Sequence, residues 1–193
     1  MRRVLNVGGN SRDIPIPPIY DGWEQHLLDI DPKVEPDIIL DARMLTTLQG
    51  SQYDSVYCSH NLEHYFHHDA KKVLAGFKHV LKEDGFAIIT VPDIGELFKI
   101  VAEKNLDIDD FLYQSPMGPI KVRDVIYGYG EQIEKSGDEF YAHKTGFTEK
   151  SLISILQQSG LQIIFSNSGN LEIHAIAFKN KPTQFAIELL GLS

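Results

Sequence analysis

Five short apolar runs, most of them closing on glycine or an acid, constrain this chain more than any other feature. Val4-Leu5-Asn6-Val7 meets Gly8-Gly9-Asn10, and His26-Leu27-Leu28 ends on Asp29-Ile30-Asp31-Pro32. Asp37-Ile38-Ile39-Leu40 ends on Asp41-Ala42-Arg43, Tyr53-Asp54-Ser55-Val56-Tyr57-Cys58 on Ser59, and Gly85 to Val91 on Pro92. Runs of this length and composition read as strands. Between the last two, Asp69 to Leu81 places Ala70, Val73, Leu74, Phe77, Val80 and Leu81 at helical spacing, with His68-Asp69 as a cap and Gly85 as a stop. Strands alternating with such a helix indicate an α/β fold with a mostly parallel sheet. The short turns between the first three strands leave little room for helices, so one face should be covered mostly by loop.

The first turn contains a conflict. Gly8-Gly9-Asn10 is a sharp turn that lets backbone N–H groups approach a ligand, and in nucleotide-binding α/β folds a helix N-terminus follows at that point. Here Asp13-Ile14-Pro15-Ile16-Pro17-Pro18 follows instead. Proline removes a donor and clashes with the preceding turn, so no regular helix forms there. The expectation is a ligand loop with a shortened first helix. Asn10 tolerates left-handed geometry, and Arg12 offers a charge in place of the missing helix dipole; solvent contacts alone are an equal reading of Arg12.

The 193 residues suit one domain, 1–193, with a segment at 94–146 that departs from the α/β rhythm. Ile94-Gly95-Glu96-Leu97-Phe98 starts an amphipathic helix. The chain then turns aromatic and glycine-bearing, through Gln114-Ser115-Pro116-Met117-Gly118-Pro119 and Tyr127-Gly128-Tyr129-Gly130. An insertion this long is a lid or a disordered segment, and the aromatics favour an inserted lid. From Thr148 a capped helix runs to Gly160, Leu161–Phe165 and Ile173–Phe178 form a closing hairpin, and Thr183–Leu190 a terminal helix.

A net charge of −9 argues against a nucleic-acid partner. No apolar run reaches the roughly 20 residues of a membrane span, and the first residues lack the form of a secretory signal. The single Cys58 excludes an internal disulfide and fits a reducing cytoplasm. The expectation is a soluble cytoplasmic protein; its oligomeric state is not readable.

In open parallel sheets, ligands collect at the carboxyl ends of strands. The glycine turn, Asp29, Asp41 and Ser59-His60-Asn61 all fall there, in that order. A carboxylate at the second strand's end can accept both hydroxyls of a ribose, which explains an acid at Asp29. Asp41 with the backbone of Ala42-Arg43 suits an adenine amino group. Taken singly, each aspartate is equally a turn or cap residue.

The segments VLNVGGN, HLLDIDP, DIILDAR, YDSVYCSHNLEHY, HVLKEDGFAIITVPD and HKTGFTEKSLISILQQSG resemble, in order, the motifs of class I S-adenosylmethionine-dependent methyltransferases, in particular the methyltransferase type 11-like group. The resemblance spans residues 3 to about 179 and matches the lid poorly. It implies a Rossmann-like three-layer sandwich with a seven-stranded sheet, parallel except for a final antiparallel strand, and S-adenosyl-L-methionine as cofactor. It places the cofactor's amino-acid end on Val7, Gly8, Gly9 and Asn10, the ribose on Asp29 beside Ile30, the adenine side on Asp41 and Ala42, and the methionine wall on Ser59 and His60. Val91-Pro92-Asp93 would face the methyl group.

Positioning dominates methyl transfer, and a base is needed only where the acceptor must lose a proton. His60, His64 and His143 are the catalytic candidates, with Glu63, Asp93, Tyr127, Tyr129 and Tyr141 nearby. Structural roles are the plainer reading for each: loop hydrogen bonding for His60 and His64, hinge structure for His143. No metal site is assigned. His60, His64, His67 and His68 form the densest ligand cluster, and His60 with His64 and a carboxylate remains a minor alternative to a solvated helix start. The lid aromatics Phe111, Tyr113, Tyr127, Tyr129, Phe140 and Tyr141 either wall a small-molecule pocket or form the lid's own core. The reading is methyl transfer to an unidentified acceptor, taken to be a small molecule. A catalytically inactive binding module of the same fold and, more remotely, a nicotinamide-dependent oxidoreductase are the alternatives.

Overall fold

The computed structural model describes residues 1–116 and 118–192. Its main sheet has seven strands in the order β3-β2-β1-β4-β5-β9-β8. They are β1 (Arg3–Val7), β2 (Glu24–Asp29), β3 (Ile38–Ile39), β4 (Tyr53–Ser59), β5 (Leu81–Pro92), β8 (Ile163–Gly169) and β9 (Glu172–Phe178). Pairings among β1 to β5 are parallel, while β9 runs antiparallel to both β5 and β8. The sheet therefore has the arrangement that the resemblance implies, with one reversed strand. Chain order reverses between β1 and β4, which puts the switch point at the glycine turn.

One face is packed by helices. Buried Leu5, Val7, Val56, Cys58, Ile89 and Ala175 meet Val73, Leu74, Phe77 and Val80 of α1 (His67–Val80), and Leu152, Ile155 and Leu156 of α5 (Glu149–Gln158). Helix α1 starts after Phe66 and runs directly into β5 at Leu81, so Asp69 lies inside its first turn and Gly85 inside a strand; neither acts as the expected cap or stop. The boundary is set by β5, whose pairing with β4 already begins at Tyr53 and Leu81. Helix α5 keeps its expected ends: Thr148 accepts from the Ser151 N–H, and Gly160 has φ +86°.

The other face explains the prolines. Between β1 and β2 the first helix is reduced to a single 3-10 turn, Pro18–Tyr20. The loop itself covers the sheet there, laying Ile16, Ile19, Tyr20 and Trp23 against Val4, Tyr57, Phe86 and Phe178, with α6 (Gln184–Leu190) beside it. The Tyr20 hydroxyl is 2.8 Å from Ser55 Oγ, and the Tyr20 and Trp23 rings pack edge-on at 5.3 Å.

Residues 94–146 are built from α2 (Ile94–Lys104), a hairpin of β6 (Phe111–Ser115) and β7 (Gly118–Lys121), α3 (Val122–Tyr127) and α4 (Gly130–Ser136). They carry a separate aliphatic core of Leu97, Ile120, Val122 and Val125, joined by Ile94, Val101, Leu112 and Leu171. Of the six lid aromatics only Tyr129 packs against it.

Candidate functional site

A cavity of about 1440 Å³ opens at the carboxyl ends of β1, β2, β4 and β5 and runs beneath the inserted segment. Its lining includes Gly8, Gly9, Asn10, Asp29, Ile30, Asp41, Ser59, His60, His64 and His143. Val7 and Ala42, expected at the cofactor, lie outside it, buried among the helical-face core, and so do Glu63, Val91 and Asp93 among the residues expected near the methyl group. Tyr113, Tyr129, Phe140 and Tyr141 wall the opposite side. Phe111 and Tyr127 do not line the cavity and are mostly exposed. The volume exceeds the roughly 300–1,000 Å³ usual for one ligand, leaving room for two.

The turn after β1 is held by close packing. Gly8 has φ +69°, and a Cβ there would stand 2.0 Å from Asn61 Nδ2; one on Gly9 would meet Asn6 Nδ2 at 2.2 Å. Asn10 follows at φ 59°. Asp29 closes the turn from the end of β2, its carboxylate accepting from the Asn10 N–H at 3.2 Å and the Asp31 N–H at 3.0 Å. One bond to each oxygen leaves further lone pairs for ligand hydroxyls. Asn61 Oδ1 is buried without a hydrogen-bond partner among the described residues, an acceptor suited to an ammonium group.

Asp41 is differently placed. It caps the following 3-10 helix through the Arg43 N–H at 2.9 Å, and the Arg43 guanidinium takes both its oxygens at 2.5–3.0 Å. Desolvation raises its pKa, but the Arg43 contacts outweigh that and hold it below the usual carboxylate range. Arg12, expected near the cofactor loop or in solvent, instead pairs with Asp37, whose other contact is the Leu27 N–H at 2.7 Å. Asp93 is occupied as the cap of α2, accepting from Gly95 and Glu96 N–H at 2.8 and 3.1 Å.

The histidines converge on Glu63. His60 Nδ1 lies 3.6 Å and His143 Nε2 4.0 Å from Glu63 Oε1, and the His64 and His143 rings are 5.0 Å apart. Glu63 is 1% exposed. Burial raises its pKa, but the facing imidazoles outweigh burial and keep it a carboxylate. His60, in left-handed geometry at φ 48°, also bonds Glu172 at 2.9 Å. Burial lowers its pKa, yet the two acids push it up to about 10. An imidazolium at neutral pH is not a general base, so this geometry disfavours His60 in that role. His143 is shifted the other way, chiefly by burial, and is neutral. Cys58 is fully buried with its thiol pKa raised by desolvation, an inert packing residue. The sequence reading groups His143 with His60, His64 and Glu63 as candidates, and the structure brings His143 back beside Glu63.

A Rossmann-like sheet with one reversed strand, and a cavity at its switch point walled by a glycine turn and a strand-end acid, defines a methyltransferase-type fold. The family described as Methyltransferase domain matches residues 26–89, about a third of the chain. No curated protein matches the chain. Among solved structures it is similar in fold to a SAM-dependent methyltransferase from Archaeoglobus fulgidus (TM-score 0.56, 15% identity, 91% of this chain and 85% of that one). A second is Burkholderia thailandensis 1,6-didemethyltoxoflavin-N1-methyltransferase, with 1,6-didemethyltoxoflavin and S-adenosylhomocysteine bound (0.54, 16%, 93% and 71%). A third is a complex of the Haloferax volcanii Trm112 methyltransferase activator with a putative methyltransferase (0.60, 10%, 95% and 84%). None of the described helices is long and apolar enough to cross a membrane.

Proposed function

We propose that this chain transfers a methyl group to a small-molecule acceptor held between the sheet and the inserted segment, in a reducing cytoplasm compatible with its single buried thiol. The observation that carries the reading is the pairing of Asp29 with the Asn10 N–H at the mouth of a cavity with room for two ligands.

S-adenosylmethionine, when bound, supplies an electrophilic methyl on a sulfonium. On this reading Gly8, Gly9 and Asn10 let the backbone approach its amino-acid end, with the orphaned Asn61 Oδ1 accepting from the ammonium. Asp29 takes the ribose hydroxyls, and Ser59 and His60 border the methionine chain. The fit is least good at the adenine end, where Asp41 already has Arg43 on both oxygens. Tyr113, Tyr129, Phe140 and Tyr141 position the acceptor and exclude water, as a lid. His64 and His143 border the acceptor side and can receive a proton if the acceptor is a hydroxyl or amine. The acid-rich surface disfavours polyanionic acceptors.

The second reading, a binding module without turnover, is favoured by the reduction of the first helix to one 3-10 turn, which removes helix N–H donors and their dipole. Calorimetric titration with S-adenosylhomocysteine separates the two. The active-enzyme reading expects micromolar binding that weakens by about 10- to 100-fold in Asp29→Ala, the loss of one charge-assisted interaction. No binding to folded wild type leaves the module reading in its place.

A further inference from the structure

We propose that Glu63, His64 and His143 form a binding site for one divalent transition-metal ion, of the zinc, manganese, iron or cobalt class, where the inserted segment returns to the sheet. One ligand atom from each residue lies within 4.8 Å of the others. The site stands independently of the cofactor reading.

Two observations point to a cation. The first is Glu63 itself: both carboxylate oxygens are buried, and neither has a hydrogen-bond partner among the described residues. A buried carboxylate without hydrogen-bond donors is costly unless it is paired or coordinates a metal; His60 Nδ1, at 3.6 Å from Oε1, gives it a nearby charge but no hydrogen bond, and leaves Oε2 unmatched. The second is the state of the two histidines. His64 Nδ1 lies 3.2 Å from the Ala142 carbonyl and His143 Nδ1 3.0 Å from the Val125 carbonyl. A carbonyl oxygen only accepts, so each Nδ1 donates to it, which leaves each Nε2 as the ring atom turned toward the cluster. Fixing one ring nitrogen on a carbonyl so that the other can ligate is the usual support of a metal-bound histidine.

A proton alone does not complete this cluster. Were His143 Nε2 protonated, it would still stand 4.0 Å from Glu63 Oε1, beyond a hydrogen bond. An ion fits the gap better. Nitrogen and oxygen ligands at about 2.0–2.2 Å from a shared ion stand about 3–3.5 Å apart, so side-chain adjustments of about 1 Å close the site. Two imidazoles and one carboxylate suit a borderline transition metal rather than magnesium or calcium, which take mostly oxygen. His60 stays outside the set, its Nε2 occupied by Glu172. His64 and His143 line the cavity, so an ion held there would be reachable from it. An ion there turns both Nε2 atoms into ligands, so metal binding and a base role for these histidines exclude each other.

The test uses the full, tag-free chain stripped with chelator and titrated with Co²⁺ by absorption and calorimetry. One Co²⁺ per chain is expected, with an imidazole-type spectrum that Zn²⁺ displaces. His64→Ala and His143→Ala should each weaken binding by at least about tenfold, while His67→Ala, at an exposed neighbour, leaves it unchanged. In unmodified protein, Mn²⁺ should broaden the His64 and His143 ring resonances before those of His67 and His68, a readout that survives if a variant fails to fold. Absence of stoichiometric Co²⁺ binding to wild type, or uniform broadening of all histidines, overturns the site. S-adenosylhomocysteine titrated into the same samples separates this outcome from failure of the cofactor reading.

Discussion

Glu63 meets His143 and the two residues after it: its Oε1 lies 4.0 Å from the His143 Nε2, and its carbonyl oxygen accepts from the N–H groups of Lys144 and Thr145 at 2.8 and 3.2 Å. A single residue four positions past the end of β4 therefore anchors the return of this segment with its main chain and turns its buried carboxylate toward His143. His143 continues the tie inward, through Nδ1 to the Val125 carbonyl of α3. Sheet, junction and insertion are mechanically joined at this point.

If that junction holds the insertion in place, His143→Ala should loosen it without disturbing the sheet. The expected loss is about 1 kcal/mol for one hydrogen bond. Hydrogen exchange should quicken at α3 and the β6–β7 hairpin while amides of β4 and β5 keep their protection. Affinity for S-adenosylhomocysteine should change by less than about threefold, since Asp29 and the glycine turn lie on the other side of the cavity. Equal acceleration throughout the chain would show that the junction has no local role.

Asp29 and Asp41 stand at equivalent strand ends, yet their environments predict opposite phenotypes. Asp29 keeps lone pairs for a ligand, whereas Asp41 is taken up by Arg43, which also reaches the buried Asp69 at 3.3 Å. Asp41→Asn, which preserves the cap, should therefore cost stability rather than affinity. With Arg43 45% exposed, the cost at neutral pH is only about 0.5–1 kcal/mol. The sign with pH follows from the lowered pKa. The contribution is present above the ordinary value of 3.8 and disappears as pH falls through the depressed folded value. Urea midpoints of wild type and variant should differ at pH 7 and draw together as pH falls below 3.8. A constant difference would place the effect in packing instead.

Much of the sheet was legible because its strands are short apolar runs that each end in a residue with a distinct job. Gly8 gives the left-handed turn, Asp29 the strand-end acid, and Thr148 and Gly160 the ends of α5; such signals are local, and local signals survive in a sequence. The expectation that loop would cover one face also matches, because the prolines forbid a helix wherever the chain later packs. What local pattern misses is partnership. Nothing near Arg12 names Asp37, and nothing near Asp41 announces that Arg43 will occupy both its oxygens. The boundary of α1 was displaced for the same reason, since β5 recruits Leu81 by pairing with Tyr53. The aromatics of the insertion looked equally suited to a core or a pocket wall. The structure separates them because aliphatic Leu97, Ile120, Val122 and Val125 already fill the core.

Gly8→Ala should be severe for two separable reasons. The residue sits at φ +69°, and its new Cβ would stand 2.0 Å from Asn61 Nδ2 and 2.9 Å from Asn61 Cβ. Left-handed strain costs about 1–2 kcal/mol and overpacking about 1–3. In an Asn61→Gly background the steric part should vanish and the strain remain, so a double-mutant cycle should return a coupling of about 1–3 kcal/mol. Additive penalties would mean that the Asn61 side chain moves aside freely and does not define the loop.

The loop that replaces the first helix should behave as core, and Tyr20 tests this directly. It is 4% exposed, pairs with Ser55 at 2.8 Å and stacks edge-on against Trp23 and Tyr57 at 5.3 and 5.9 Å. Tyr20→Phe keeps the ring and removes the hydroxyl partner of Ser55, costing about 1 kcal/mol. Tyr20→Ala empties a ring-sized volume against the sheet beside α6, costing about 3–5 kcal/mol. Chemical denaturation of both variants measures the two steps separately. A flexible covering loop would absorb either change at little cost, and near-equal midpoints for wild type and Tyr20→Ala would identify it as such. A large second step would mean that residues 14–23 form a packed third layer. The proline-rich segment then supplies by side-chain burial what the missing helix would otherwise give the sheet, while its N–H donors beside the glycine turn remain lost.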